Sequence, residues 1–552
     1  MRNRLKMQVR LFLIVTALCM IIFNCLCVYA VGWTTTEVVS TESTDYLYWP
    51  FLGVGPDGTV HVVWMDQTDY AGAGPYPDRD IFYKRREPGG GWTTTEVIQT
   101  ETTNQSWNNP AVAVGPDGTA HIVWQDESDY GGSGPDEDIF YKSYVPGTGW
   151  TGVEVVSTES TNTNSDYLGP SLAVGLDGTV HIIWRDNADY GDSSSSWNIF
   201  YKKLVPGNGW TTTEVVPTEN TFWGGHPVID VESDGTVHIA WWGLYDYLGS
   251  GSDDDVFYTR FEPGMGWTSV EVVSTESTGN SRNPSLGVGP DGTVHIAWED
   301  ETDYAGAGND WDLFYKRFEP GSGWTTTEVI SMEEILRSRN FLDVGPDGAV
   351  HIVWYESTEY GDSGTDLDIL YNKFISGTGW TGVEVVSTES TSSSSNPSLC
   401  VGSDGTIHVV WIDYTTFGDV GNVPNVVYKK FSLTDLPPVA SFISIPIDPE
   451  VNEEVTFDAS DSNDPDGTIV NYEWDFGDGN TAIGIIVTHS YTQKGSYSVS
   501  LTVTDNDELI GTDTKTFTDV IPEFSTLIFL STFIMATVIV IVIFSKKIKI
   551  KL

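Results

Sequence analysis

Short runs of apolar and β-branched residues, separated by Gly, Pro, Asp and Ser, recur from residue 33 to residue 431. Such runs predict β-strands, and no helical period of apolar residues interrupts them. The clearest run is Asp-Gly-Thr-Val-His-x-x-Trp, which first occurs at residues 57–64 and returns six times at a spacing of 56 to 60 residues. Its histidines are His61, His121, His181, His238, His295, His351 and His408. A repeat of this length indicates that the fold is built from one structural unit that occurs several times.

Each repeat contains four predicted strands. In the second copy they lie within residues 110–114, 120–124, 138–142 and 149–156. The Asp-Gly pair between the first two predicts a hairpin, because glycine adopts a positive φ without steric cost. Four antiparallel strands per repeat, stacked radially, are typical of a propeller blade. The sequence therefore predicts an all-β fold with a seven-bladed β-propeller over residues 31–433.

A Gly-Trp pair marks the fourth strand of each unit. The tryptophans of these pairs are Trp33, Trp92, Trp150, Trp210, Trp267, Trp324 and Trp380. The first pair precedes every His-x-x-Trp unit, and the last unit has no pair after it. We therefore predict that residues 33–40 supply the outer strand of the seventh blade, which removes a free sheet edge. The loops on one face of the predicted disc vary between blades, and such loops commonly carry function.

Both ends of the chain are apolar and flanked by basic residues. Residues 1–30 have the basic, apolar and small-residue regions of a secretory signal peptide, with an uncleaved anchor as the alternative. Residues 527–544 carry no charge and are long enough to span a bilayer as a helix. Four lysines follow this segment, and the positive-inside rule places them in the cytoplasm. The prediction is a membrane-anchored cell-surface protein whose bulk is extracellular.

The composition is strongly acidic, with 78 Asp and Glu against 27 Lys and Arg and a net charge of −51. This balance argues against a nucleic-acid partner, which requires a basic surface. It favours solubility and attracts cations, and a saline habitat is an alternative cause. Cys400 is the one cysteine outside the predicted signal peptide, so the mature chain can form no intrachain disulfide.

Residues 437–520 follow a different pattern. Their motifs are Val455-Thr-Phe-Asp-Ala-Ser-Asp461, Tyr472-Glu-Trp-Asp-Phe-Gly-Asp-Gly479 and Tyr497-Ser-Val-Ser-Leu-Thr-Val-Thr-Asp505. This segment resembles the PKD domain, which implies an immunoglobulin-like β-sandwich that acts as an extracellular spacer or adhesion module. The alternation of Val499, Leu501 and Val503 independently predicts one buried strand face, with Trp474 in the core.

Two further resemblances concern the C-terminal tail and the repeats. Pro522, Glu523 and Phe524, followed by the apolar segment and lysines within residues 521–552, resemble the archaeal Pro-Glu-Phe sorting signal. That resemblance implies processing by an archaeosortase, and an ordinary single-pass anchor is the alternative. The repeats resemble sialidase-like and lectin-like propellers in a generic way. The sialidase Asp-box is not matched, so no catalytic residue is carried over.

Two sets of repeated side chains are candidates for metal chemistry. The seven histidines occur once per blade and are predicted to be buried and hydrogen-bonded rather than metal-binding. The acidic loops could hold calcium, which prefers several oxygen ligands on flexible loops, whereas turn capping is the competing explanation. The candidate calcium ligands are Asp66, Asp69, Asp78 and Asp80, then Asp126, Asp129, Asp136 and Asp138, and then Asp300, Asp303, Asp310 and Asp312.

The loops that enter the first strand of each blade break the repeat symmetry. Trp, Tyr and Arg are the residues that dominate binding hot spots, and local packing is the alternative. The candidate ligand-binding residues are Trp49, Trp107, Tyr167, Trp223, His226, Arg282 and Arg339. We read the aromatic residues of the first four blades as facing a pair of arginines in blades five and six.

These features predict an archaeal-type surface protein whose propeller binds an extracellular glycan or a partner protein for adhesion. The alternative is a glycoside hydrolase or polysaccharide lyase, for which Asp230 and Asp343 are candidates because they replace small residues of the first strand. A glycosidase needs two carboxyl groups that flank one bond. A passive surface-layer component is the third class.

Overall fold

The computed structural model describes the greater part of two compact units, Met1–Leu433 and Thr434–Leu552. The described residues are 32–70, 79–99, 109–130, 137–158, 169–187, 190, 197–219, 225–244, 246–306, 310–331, 339–357, 366–417, 424–432, 438–447, 449–463, 469–505 and 510–517. Within these ranges the chain forms strands and turns and no helix, so none is available there to cross a membrane. The predicted signal peptide, residues 522–524 and the apolar segment 527–544 lie outside them.

The described part of the first unit holds seven antiparallel sheets, which we number 1 to 7 by the order of their first strands. The first strands are Leu47–Val54, Ala111–Val114, Ser171–Val174, Val228–Val231, Ser281–Val288, Phe341–Val344 and Ser394–Val401. The second strands are Val60–Asp66, Ala120–Asp126, Val180–Asp186, Val237–Gly243, Val294–Asp300, Val350–Glu356 and Ile407–Asp413. The third strands are Asp80–Arg86, Asp138–Val145, Asn198–Val205, Asp255–Glu262, Asp312–Glu319, Asp368–Ile375 and Asn425–Ser432.

Short outer strands pair with the third strands. The Gly-Trp strands are Gly32–Trp33, Gly149–Trp150, Gly209–Trp210, Gly266–Trp267, Gly323–Trp324 and Gly379–Trp380, and in sheet 1 Trp92 forms an isolated bridge with Arg86. The Glu-Val strands are Glu37–Val38, Glu96–Val97, Glu154–Val155, Glu214–Val215, Glu271–Val272, Glu328–Val329 and Glu384–Val385. Gly32–Trp33 and Glu37–Val38 pair with Asn425–Ser432, which confirms that the N-terminal segment completes the last sheet.

The Asp-Gly turns explain why the first two strands form a hairpin. Gly58 has a φ of 80°, a conformation that costs a glycine little. Asp57 accepts hydrogen bonds from the backbone N–H and the hydroxyl of Thr59, both at 2.9 Å. Gly55 N–H donates to the Thr59 carbonyl at 2.8 Å, which closes the turn. The same side-chain bonds recur in the second and third repeats, so the sequence motif encodes the turn directly.

Successive sheets pack face to face in chain order, and sheet 7 packs against sheet 1. In the latter contact, Val410 and Tyr428 of sheet 7 share one buried apolar cluster with Val62 and Trp64 of sheet 1. Equivalent clusters join each other pair of neighbouring sheets in the described part of the unit. Both faces of each second strand are therefore buried, and apolar burial supplies the main stabilisation.

Each described Gly-Trp tryptophan contacts the preceding sheet in the same way. Its ring meets a tyrosine edge to face at centroid distances of 4.8–5.5 Å, and its Nε1 donates to a glutamate at 2.7–3.3 Å. For Trp33 these partners are Tyr371 and Glu384 of sheet 6. The N-terminal strand thus makes the same contacts as its covalently continuous counterparts.

The seven repeated histidines are buried and hydrogen-bonded, as predicted. In each sheet Nδ1 lies 2.6–2.8 Å from the hydroxyl oxygen of a third-strand tyrosine. Burial lowers the pKa of each imidazole to about 4, because the charged form would lose its hydration. These histidines are neutral packing groups at physiological pH.

Buried lysines form a second inter-sheet link that the sequence did not reveal. Each donates from Nζ at 2.8–3.0 Å to a backbone carbonyl of the preceding sheet. They are Lys84, Lys202, Lys316 and Lys429, together with the half-buried Lys142. In sheets 4 and 6 the position holds Thr259 and Asn372, and nothing in the structure explains the exchange.

The second unit contains two antiparallel sheets in its described residues. One orders Ile443–Ile445, Val455–Asp458 and Ile486–His489, and the other orders Thr481–Ile483, Ile469–Asp475, Tyr497–Asp505 and Ile510–Phe517. The core contains Trp474 with Val499, Leu501 and Val503, as the alternation predicted.

Candidate functional site

A cavity of about 200 Å³ is lined by the first strands of all seven sheets. We call it the central cavity. At the equivalent position, 12 residues before the repeated histidine, the seven sheets carry Trp49, Asn109, Gly169, His226, Asn283, Arg339 and Asn396, which we call the mouth residues. Asn109, Gly169, His226, Asn283 and Arg339 line the cavity, and Trp49 and Asn396 line an adjoining recess with Arg339. One position of the repeat therefore supplies an indole, an imidazole, a guanidinium and amides to one place.

The backbone of the mouth is unusual. Trp49, His226, Asn283 and Asn396 have φ values of 45°, 55°, 50° and 50°. A non-glycine residue at positive φ is uncommon and costs about 1–3 kcal/mol. The strand pairing shifts register at this point in sheets 1, 5 and 7. Such strain often accompanies functional sites because it aims side chains that a regular strand would direct elsewhere.

Arg339 is the cationic group of the cavity. Its guanidinium carbon lies 5.4 Å from the centre of the Trp49 ring, a cation–π distance. No described residue accepts a hydrogen bond from it or forms an ion pair with it. Burial lowers its pKa to about 10, so it remains charged at neutral pH. Arg339 is half-buried, and the nearby charge of Glu299 partly offsets the effect of burial on its pKa.

His226 supplies a second polar group without a protein partner. Its Nε2 is buried and has no hydrogen-bond partner among the described residues. Burial and the charge of Arg339 hold its pKa well below the usual value. The imidazole is therefore neutral and offers one donor and one acceptor nitrogen.

An amide network fixes the wall between sheets 5 and 6. Asn340 donates from Nδ2 to the Asn283 carbonyl at 2.9 Å, and its Oδ1 accepts a hydrogen bond from the Ser285 hydroxyl. Asn283 in turn donates from Nδ2 to Glu299 at 2.9 Å. These bonds immobilise the strand next to Arg339, so part of the site is formed before a ligand arrives.

Asp230 and Asp343 hold strands in place, and their carboxylate oxygens are engaged. Asp230 accepts from the backbone N–H groups of Val231 and Val288, both at 2.8 Å. Asp343 accepts from Val344 at 2.8 Å and from Val401 at 2.7 Å. Each aspartate therefore links its own first strand to that of the next sheet. Burial, with the nearby charge of Asp343, raises the pKa of Asp230 to about 7.

The structure does not bring Arg282, the other arginine of the predicted binding set, to the position of Arg339. Arg282 pairs with Glu299 in register and is equivalent to Tyr48, so the mouth residue of its sheet is Asn283. Its guanidinium forms an ion pair with buried Asp254 and lies near the rings of Trp242 and Trp311. Arg282 does not line the central cavity. Trp107, Tyr167 and Trp223 lie outside the described residues.

The candidate calcium ligands are brought together only in pairs. Asp66 faces Asp80 across neighbouring strands, and the same register joins Asp126 to Asp138 and Asp300 to Asp312. The first member of each pair accepts protein hydrogen bonds; Asp66, for example, accepts from Trp64 Nε1 and Thr68 N–H. Asp69, Asp129 and Asp303 are exposed, Asp310 is half-buried, and Asp78 and Asp136 fall outside the described ranges. Among described residues no group of three or more His, Cys, Asp or Glu could hold a metal ion.

A simple count along the sequence identifies the mouth residues. Trp49, His226 and Arg339 each precede the histidine of their repeat by 12 residues, whereas Arg282 precedes His295 by 13. A second variable position directly follows the repeated tryptophan in each repeat. It contains Met65, Gln125, Arg185, Trp242, Glu299, Tyr355 and Ile412. Comparing one position across all seven repeats separates the residues that every sheet shares from those that differ in a single sheet.

Residues 435–520 match the family model of the PKD domain. Collagenase ColA of Clostridium perfringens is 51% identical over 65 residues, which are 12% of this chain and 6% of that protein. The PKD1 domain of the Vibrio cholerae metalloprotease PrtV is 40% identical, with a TM-score of 0.14, and covers 16% of this chain and 100% of its own. The polysaccharide lyase Uly1 is 14% identical, with a TM-score of 0.44, over 73% of this chain and 92% of its own. Residues 435–520 are thus a PKD domain, and the chain spans less than a tenth of the matched collagenase.

Proposed function

We propose that residues 31–433 form a seven-bladed β-propeller that binds an extracellular glycan in the central cavity. The cavity carries the proposal, because the cavity and its adjoining recess gather Arg339, His226 and Trp49 at a repeat position that otherwise holds amides and glycine. Sugar rings stack on aromatic faces, and their hydroxyls use hydrogen-bond donors and acceptors. The packing of sheet 7 on sheet 1 supports the ring architecture.

The rest of the chain fits a surface location. The PKD domain acts in this proposal as a spacer, the role that its resemblance to the family implies. The basic and apolar ends export the chain and retain it at the surface, with Pro522, Glu523 and Phe524 as the processing signal of an archaeal-type cell. A partner protein is the alternative ligand of the same cavity.

Binding fits the central carboxylates better than hydrolysis does. A glycosidase must direct two carboxyl groups at one bond, whereas both oxygens of Asp230 and of Asp343 accept backbone hydrogen bonds. The raised pKa of Asp230 would suit a general acid, which keeps the enzyme as the second candidate. Calcium remains a proposed ligand of the acidic loops rather than of the cavity.

One experiment separates these classes. The full extracellular chain is incubated with immobilised neutral and acidic polysaccharides, and both retention and release of soluble products are measured. Retention of the protein on a polysaccharide without soluble products supports binding. Release of soluble products supports an enzyme. If the protein is neither retained nor releases products, it is a passive surface component. Trp49→Ala should weaken retention by about 1–3 kcal/mol, the range of an interface anchor. Unchanged retention by this variant would contradict the proposed site.

A further inference from the structure

We infer that the central cavity is selective for the carboxylate of an acidic sugar, a specificity that rests on the proposed glycan binding. The first observation is the lack of any described acceptor for the Arg339 guanidinium. Arginine presents paired N–H groups whose spacing matches the two oxygens of a carboxylate. A ligand carboxylate would supply hydrogen-bond acceptors that no described residue offers to this guanidinium, beside the nearby charge of Glu299.

The groups around Arg339 suit the remainder of a sugar ring. Trp49 lies against the same guanidinium and contributes an apolar ring to the recess that adjoins the cavity. His226 Nε2 has no hydrogen-bond partner in the described part of the chain, and it can pair with a ring hydroxyl. An acidic sugar therefore meets three distinct chemistries at the mouth, whereas a neutral sugar would offer the guanidinium no charged acceptor. A free carboxylate ion would leave His226 and Trp49 unused.

The size of the cavity restricts the ligand further. Its volume is about 200 Å³, below the roughly 300–1,000 Å³ of pockets for drug-sized ligands. The space admits one residue or a chain end and excludes an internal stretch of polymer. We therefore choose short oligosaccharides as probes. The net charge of −51 repels polyanions at long range, so the assay is run at 0.15 M salt, where the Debye length is about 8 Å.

The test uses the full extracellular chain with trigalacturonate and its methyl ester, which differ only in the carboxylate. We expect the acid to bind at least about tenfold more tightly, because a hydrogen bond to a charged group contributes about 1.5–3 kcal/mol. Arg339→Gln should abolish this preference, and Arg339→Lys should retain part of it. Arg282→Gln is the matched control, because that arginine is already paired with Asp254 outside the cavity. His226→Phe should weaken the acid and the ester by similar factors.

The outcomes distinguish this inference from the proposal beneath it. Equal affinity for acid and ester, or a preference that survives in a folded Arg339→Gln protein, overturns carboxylate selectivity while glycan binding stands. If triglutamate binds tightly and trigalacturonate does not bind, the ligand is an acidic peptide, and the inference of an acidic sugar is overturned. If no glycan in the neutral or acidic set binds, the proposed function itself fails. Circular dichroism of each variant establishes that it is folded.

Discussion

Replacing Trp33 tests whether the N-terminal strand contributes to stability as strongly as its pairing suggests. In the native protein its ring centre lies 5.2 Å from that of Tyr371 and 5.3 Å from that of Phe431. Its Nε1 also donates to Glu384 at 3.3 Å. Trp33→Ala removes both aromatic contacts and this bond. Large aromatic truncations cost about 3–5 kcal/mol, and we expect about 3 kcal/mol because the side chain is half-buried.

Trp380→Ala is the matched control. Trp380 meets Tyr315 at 5.1 Å and Phe374 at 5.4 Å, and it donates to Glu328 at 3.1 Å. The contacts are nearly the same, but the strand of Trp380 is joined to its sheet by a short turn. Strand Gly32–Trp33 instead pairs with a strand that lies at the other end of the first unit in sequence. Equal losses in the two variants would show that closure through the N-terminal strand is complete.

The losses are measured by urea denaturation followed by circular dichroism, with the transition of the first unit analysed separately from that of the PKD domain. The midpoint should fall in both variants at an unchanged slope. Limited proteolysis should also release N-terminal peptides sooner from the Trp33→Ala protein. The reasoning is refuted if Trp33→Ala lowers the free energy of unfolding by less than about 1 kcal/mol while Trp380→Ala lowers it by about 3 kcal/mol.

The remaining predictions concern pH, calcium and processing. Folding lowers the pKa of His295 from 6.5 to about 4, so its stabilising effect is complete above pH 6.5 and is lost as the pH falls towards 4. The loss in free energy of unfolding caused by His295→Gln should therefore be about 2 kcal/mol smaller at pH 5 than at pH 7. A loss that does not depend on pH would contradict burial of the neutral imidazole. Millimolar calcium should raise the melting temperature if the acidic loops bind it, whereas no shift and no metal in elemental analysis would leave them as turn caps. Intact mass should show a surface protein without residues 546–552 if a sortase acts, and recovery of those lysines would indicate a plain anchor.

The sequence predicted the parts of the fold that depend on local chemistry. The Asp-Gly turns, the burial of His61 and its equivalents, and the alternation around Leu501 follow from rules that act within one repeat or strand. The buried lysines could not be foreseen, because the acceptor of Lys84 is the Val39 carbonyl of a different repeat. Arg282 was misplaced for a related reason. A one-residue register shift at the strand entry redirects its side chain, and composition alone does not show that shift.

Sheets 4 and 6 each differ from the other repeats at two positions, the mouth position and one first-strand position. The hydrogen bonds of the first-strand residues show how these differences act on one site. His226 and Arg339 occupy the mouth positions of these sheets, and Asp230 and Asp343 occupy their otherwise small first-strand position. Asp230 holds the backbone of sheet 5 at Val288, and Asp343 holds that of sheet 7 at Val401. Sheets 5 and 7 are the two neighbours of the strand that follows Arg339. The aspartates thus fix both walls beside the arginine, so their contribution to the cavity is to position strands and need not involve contact with a ligand.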